Sequence, residues 1–191
     1  MNLIVAVDKN WGIGAKNGLL YNFKKDMNFF REKTMDKVVV MGRNTLESFP
    51  GGKPLKRRIN ICLYDQPGFE RENVTVVMNF DELFEKLAFY ETDNIFVIGG
   101  ASVYKQLLPY CKNAYITKIE DAKPAEVFFP NLDENKDWVL AETSDPEFED
   151  GTVFYFCRYE NKNVQKYNWA LKPDLVWKKR EKISLFFYLK I

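Results

Sequence analysis

Apolar residues in this chain come in short runs, and the period changes from one run to the next. Leu3 to Val7 is almost continuously apolar, as in a strand buried on both faces of a parallel sheet. The same reading predicts strands at 37–41, 57–64, 74–78, 94–98, 114–119, 138–143 and 152–159. The last two, with Glu149-Asp150-Gly151 between them, predict antiparallel edge strands rather than further parallel units. Helical spacing lies between the strands. Residues 22–34 read as a helix capped by Asn22, with Phe23, Met27, Phe30 and Thr34 as its buried stripe. A short helical piece follows Thr45 and ends near Phe49. Phe80, Leu83, Phe84 and Leu87 define the apolar face of a helix over 80–90, and another helix ends near Leu108.

Polar residues interrupt this pattern at three places. Asp26 falls on or beside the apolar stripe of its helix, where a carboxylate is costly without a partner. Spacing alone leaves two readings of similar weight: a first-turn acid favoured by the helix dipole, or a site carboxylate. Two strands run into glycine and then a helix, at Gly42-Arg43-Asn44-Thr45 and at Gly99-Gly100-Ala101-Ser102-Val103-Tyr104. Such junctions can present backbone N–H groups to an anion, although neither is a G-x-G-x-x-G. The adjacent pair Gly99-Gly100 permits a cis peptide without proline. Residues 8–18, with three glycines and two asparagines, read as a long loop of the kind used as lids.

Composition narrows the chemistry. The 191 residues, 46% hydrophobic and 16% aromatic, suit one globular domain. There is no histidine, so imidazole catalysis and most zinc chemistry are excluded, and no metal site is expected. Proton transfer must use carboxylates, tyrosine, lysine, cysteine or water. Cys62, Cys111 and Cys157 have no paired spacing and read as reduced cytoplasmic thiols. Neither a signal peptide nor a membrane span is expected. The net charge of +1 hides an asymmetry: residues 164–191 hold seven Lys or Arg against two acids, which leaves −4 for residues 1–163.

Taken in order, the motifs resemble those of dihydrofolate reductases over roughly residues 1–160. They are Ile4-Val5-Ala6-Val7 with Gly12-Ile13-Gly14; Asp26 with Phe30; Met41-Gly42-Arg43-Asn44-Thr45; Pro54-Leu55-Lys56-Arg57-Arg58-Ile59-Asn60; Val97-Ile98-Gly99-Gly100 with Val103-Tyr104; and Tyr115-Ile116-Thr117. The resemblance implies a three-layer α/β/α domain at 1–163. Its central sheet would be eight-stranded, mixed but mostly parallel, with an antiparallel C-terminal strand. It further implies reduction of 7,8-dihydrofolate by NADPH, in support of one-carbon and thymidylate metabolism, by a cytoplasmic monomer that binds antifolates.

The resemblance also implies roles. Asp26 would face the pterin and set its orientation and electrostatics, with Thr117 bonded to both. Val5, Leu19, Met27, Phe30, Phe49 and Ile98 would wall the substrate rings, and Arg58 would pair with the glutamate α-carboxylate. Ala6, Ile13 and Gly14 would hold the nicotinamide end of NADPH, with Tyr104 nearby. Gly42, Arg43, Asn44 and Thr45, with Gly99, Gly100, Ala101, Ser102 and Val103, would hold the phosphates. Leu63 and Tyr64 would flank the adenosine.

Departures from the family pattern carry expectations of their own. Leu20-Tyr21 stands where the family usually has Pro-Trp, so Tyr21 would take over holding a water near the pterin. Asp65, with Ser102 where some members carry arginine, suits a free ribose hydroxyl and predicts weak discrimination against NADH. The basic, aromatic tail 164–191 has no counterpart in a single-domain member. It reads as an extension packed on the domain, an anionic-surface contact or vector-derived sequence; nucleic-acid binding is disfavoured. Two competing functions remain at this stage: a pyrimidine reductase of riboflavin synthesis on the same fold, and a nucleotide-binding protein without catalysis.

Overall fold

A computed structural model describes residues 1–167; the readings placed on Trp169, Trp177, the basic cluster 178–182 and the apolar 186–189 lie outside the described residues. The elements run β1 (Asn2–Val7), β2 (Gly12–Ala15), β3 (Gly18–Leu19), α1 (Lys24–Thr34), β4 (Val38–Gly42), α2 (Arg43–Ser48), β5 (Ile59–Leu63), β6 (Val74–Val77) and α3 (Phe80–Leu87). They continue with β7 (Ile95–Gly99), α4 (Ala101–Leu107), β8 (Asn113–Ile119), β9 (Val127–Phe128), β10 (Trp138–Thr143), β11 (Glu147–Glu149) and β12 (Thr152–Asn161).

The main sheet has the order β10-β12-β8-β1-β7-β4-β5-β6, with short β11 added on β12. β8, β1, β7, β4, β5 and β6 pair in parallel. β12 pairs antiparallel with β8, β10 and β11. The expected mixed, mostly parallel sheet is present. Of the two antiparallel strands read as edges, β10 is one, and β12 lies inside it.

Alternation along β1 makes the three layers. Leu3, Val5 and Val7 point into the core that holds Leu83, Phe84 and Leu87 of α3 and Val103, Tyr104 and Leu107 of α4. Ile4 points the other way, with Val39 and Met41, toward Leu46 of α2 and Phe29 and Phe30 of α1. A third cluster joins Tyr21, Phe23, Ile119 and Phe154 below the start of α1.

Three local readings need correction. The helix expected to open at Asn22 starts at Lys24, with Phe23 at the cap position and no side-chain cap of its own. Phe23 therefore leaves the helical stripe and stacks on Phe154, ring centroids 5.0 Å apart. The expected loop 8–18 is partly ordered as β2 and β3, which form a small sheet with β9. The third helix ends at Leu87 rather than Tyr90; Asn79 caps it by accepting from the Glu82 N–H, and Glu82 reaches back to the Met78 N–H. Past β12, the Gln165 N–H bonds the Pro109 carbonyl, and Tyr167 stacks on Phe84 at 4.0 Å.

Candidate active site

Asp26 and Thr117 meet where α1 crosses β8. The Thr117 hydroxyl donates to Asp26 Oδ1 at 2.6 Å. Thr117 is buried beside Ala6, its register partner on β1. The Asp26 carboxyl lies above the usual carboxylate range. Burial is the largest cause, the Thr117 hydroxyl pulls the other way, and the Glu149 charge adds to the rise. Tyr104 is buried nearby, donates its hydroxyl to the Ile4 carbonyl at 2.6 Å, and is held well above an ordinary phenol, first by burial and then by Asp26.

Other expected substrate contacts surround this pair at different depths. Val5 and Ile98 are buried, Phe30 and Phe49 are half-buried against the α1 and α2 face of the sheet, and Met27 and Leu19 are exposed. Arg58 sits at the far end of α1. Its Nη1 donates to the Lys56 carbonyl at 2.8 Å, and its Nη2 donates to Thr34 Oγ1 at 3.1 Å and the Arg31 carbonyl at 3.3 Å. Its Nε is buried and has no acceptor among the described residues. A guanidinium fixed on one side with a buried donor left over is suited to a carboxylate ligand.

A second groove, about 640 Å³, runs between the starts of α2 and α4. Gly42, Arg43, Asn44, Thr45, Leu63, Tyr64, Gly100, Ala101, Ser102 and Val103 line it, as do Asp65, Met78, Asn79, Phe80, Gln106 and Val127. Neither helix has a side-chain cap, so the first-turn N–H groups have no side-chain partner. Gly99 lies at φ +134, and a Cβ there would stand 2.9 Å from Thr45 Oγ1; a Cβ on Gly42 would stand 3.2 Å from Val103. Glycine thus lets the two junctions approach each other. The Gly99–Gly100 peptide is cis. Arg43 is engaged within the chain. It donates to Glu47 at 2.7 Å and the Tyr64 hydroxyl at 2.8 Å, and its guanidinium lies 4.9 Å from the Tyr64 ring and 4.8 Å from the Phe69 ring. Those two hydrogen bonds hold it above the ordinary arginine value.

The family model described as dihydrofolate reductase matches residues 1–161. The chain belongs to the dihydrofolate reductase family. The dihydrofolate reductase of Schistosoma mansoni is 36% identical over 180 residues, 84% of this chain and 95% of that enzyme. That of Bacillus subtilis is 33% identical over 168 residues, 87% of this chain and 97% of its own. A solved dihydrofolate reductase from Enterococcus faecalis, complexed with NADP(H) and RAB-propyl, superposes with a TM-score of 0.76 at 30% identity, covering 84% of this chain and 95% of its own.

Within this dihydrofolate reductase fold, the segment 8–18 is pinned from afar. Buried Asp8 accepts from the Asn10 and Gly12 N–H groups, each at 2.8 Å, and from the Lys123 N–H at 3.3 Å. The Glu126 N–H bonds the Gly14 carbonyl, and Glu126 Oε2 accepts the Lys16 N–H at 2.9 Å. Ile13 packs on the core beside β1. Tyr21 is not brought to Asp26 by any hydrogen bond. Its buried hydroxyl faces the Asp121 carboxylate, and Lys123 Nζ lies 4.0 Å from its ring centroid. Burial, then the nearby Asp121 and Asp8 carboxylates, push its pKa up to about 12.

Sequence reading missed Asp8, Glu126 and Glu149 as organisers of the site. Asp8 opens the glycine-rich loop and could have been found as a turn-forming acid. Glu126 and Glu149 carry no local signal, because their partners are more than a hundred residues away.

Proposed function

We propose that this chain reduces 7,8-dihydrofolate to tetrahydrofolate with NADPH. The observation that carries the reading is the Asp26–Thr117 pair, a carboxylate on an apolar helix face whose chain partner is one hydroxyl. Asp26 keeps an oxygen for the pterin ring amide and 2-amino group. Thr117 donates to Asp26 and so has lone pairs left to accept from the same amino group. The charge on Asp26 stabilises the positive character that grows on the ring as N5 is protonated from water. Arg58, with its spare buried donor, takes the α-carboxylate of the glutamate tail. When bound, NADPH supplies the hydride. The glycine junctions at Gly42 and at Gly99–Gly100, with Arg43, Asn44, Thr45 and residues 101–103, would hold its phosphates, with Leu63 and Tyr64 beside the adenosine. Ala6, Ile13, Gly14 and Tyr104 would hold its nicotinamide end.

No helix among the described residues is long and apolar enough to cross a membrane. Three free, buried cysteines fit a reducing cytoplasm, and we assign the protein there as a monomer open to antifolates. The test is NADPH oxidation by purified protein, with dihydrofolate and with the pyrimidine substrate of riboflavin synthesis offered separately. Turnover with dihydrofolate alone is the expected result. Turnover only with the pyrimidine, or cofactor binding with neither reaction, would overturn the proposal.

A further inference from the structure

The helix that carries Asp26 is capped by a residue from the other end of the chain. Phe23, at the cap position of α1, has no side-chain oxygen to offer the first-turn N–H groups. Glu149 of β11 supplies both of its own. Oε1 accepts the Lys24 N–H at 2.6 Å and Oε2 accepts the Lys25 N–H at 3.0 Å. These are the two residues immediately before Asp26. The neighbouring Glu147 pairs with the Lys25 ammonium. β11 is held against β12, where Glu149 stands opposite Thr152. β12 in turn packs under the helix, Phe154 on Phe23 at 5.0 Å and Phe156 on Phe29 at 4.2 Å. One hairpin therefore grips α1 twice, by aromatic stacking beneath it and by a carboxylate at its end.

The charge of that carboxylate also matters. The positive end of a helix favours ionised acids in its first turn. Glu149 occupies two of the N–H groups that make this field and places a negative charge beside them. The electrostatic consequence is opposite for the two acids. Glu149 is held below the usual range by the Lys25 and Lys24 N–H groups, so it stays ionised while Asp26 titrates. Asp26 is held above it, by burial first and with Glu149 adding to the rise. The groups facing Asp26 are Thr117 from β8, Glu149 from β11, and Tyr104 from α4, whose phenol stays neutral. Lys24 and Lys25 belong to its own turn, and Lys25 is tied to Glu147.

We propose that Glu149 is a positioning residue for Asp26: its carboxylate clamps the first turn of α1 and opposes the build-up of negative charge on the Asp26 side chain. The inference concerns the protein without substrate and stands whether or not dihydrofolate is what Asp26 meets.

The test uses the full chain as wild type, Glu149→Gln and Glu149→Ala, with no substrate present. Carbon-13 NMR of the Asp26 carboxyl, assigned by its loss in Asp26→Asn, gives the titration midpoint. Amide exchange at Lys24 and Lys25 reports the clamp. Both substitutions lower the midpoint by a few tenths of a unit to about one unit, less in high salt, as expected for an exposed charge. Glu149→Ala speeds exchange at the two amides by about tenfold, from the loss of a charge-assisted bond, and Glu149→Gln restores part of the protection. An Asp26 midpoint that does not move in either variant would overturn the proposal. So would unchanged exchange in Glu149→Ala. Because no substrate is added, neither result depends on the folate assignment.

Discussion

The Thr117 hydroxyl lies 2.6 Å from the Asp26 carboxylate and donates to it, joining the helix that walls the cleft to the strand beside β1. This bond lowers the proton affinity of a carboxyl that burial raises. Thr117→Val keeps the shape and removes the donor. The Asp26 midpoint then moves further up, and hydride transfer near neutral pH falls about tenfold, consistent with about 1–3 kcal/mol for a buried acceptor left without its partner. A pH profile of single-turnover rates checks both outcomes; a midpoint that fell or stayed put would remove Thr117 from the account.

Asp26 also costs the fold stability when it is ionised. Its folded carboxyl holds a proton more tightly than the ordinary value of 3.8, so the native state binds more protons than the unfolded chain between that value and the folded one. Stability therefore falls as pH rises through this window. Asp26→Asn escapes the loss. The variant should show a higher urea midpoint than wild type near pH 7, and the difference should close as pH falls toward 3.8. Equal midpoints at both ends would contradict the assigned direction.

Arg58 has one buried donor to spare and three contacts that fix it. Arg58→Gln should raise KM for dihydrofolate about 10- to 100-fold, the loss of about 1.5–3 kcal/mol of charge-assisted bonding. The maximal rate should change far less, because the glutamate tail is remote from the reacting ring. Steady-state kinetics separate the two parameters.

Cofactor choice follows from the groove's charge. Arg43 is already paired with Glu47 and Tyr64, and Asp65 lines the same groove. An extra phosphate on the cofactor gains little from an arginine so engaged and meets an acid. The ratio of kcat/KM for NADPH over NADH should lie within about tenfold, and Asp65→Asn should raise it roughly fivefold, on the order of 1 kcal/mol for charges near a protein surface. A strong preference for NADPH in wild type would count against this.

Much of the architecture can be read from the amino-acid order, because buried strands and amphipathic helices are local patterns. The run Leu3 to Val7 and the Gly42 and Gly99–Gly100 junctions lie where the pattern puts them. What was illegible depends on partners distant in sequence. Asn22 looked like a cap because it has the right side chain, whereas the first turn is capped by Glu149, 125 residues away from Lys24. Strands β2 and β3 were hidden inside a glycine-rich stretch because β2 pairs with Val127 and Phe128, far along the chain, and β3 in turn pairs with β2. Tyr21, read as a replacement for the family's tryptophan, has its hydroxyl perturbed by Asp121 and Asp8 rather than by Asp26.

The most direct test compares single-turnover hydride transfer from NADPH to dihydrofolate in wild type and Asp26→Asn at pH 7. Asparagine retains an oxygen for Thr117 and loses the charge that polarises the ring. The rate should drop about 10²-fold or more, in the range found for removal of a preorganised electrostatic group. An unchanged rate would mean that Asp26 is a structural acid and that the reaction is organised elsewhere.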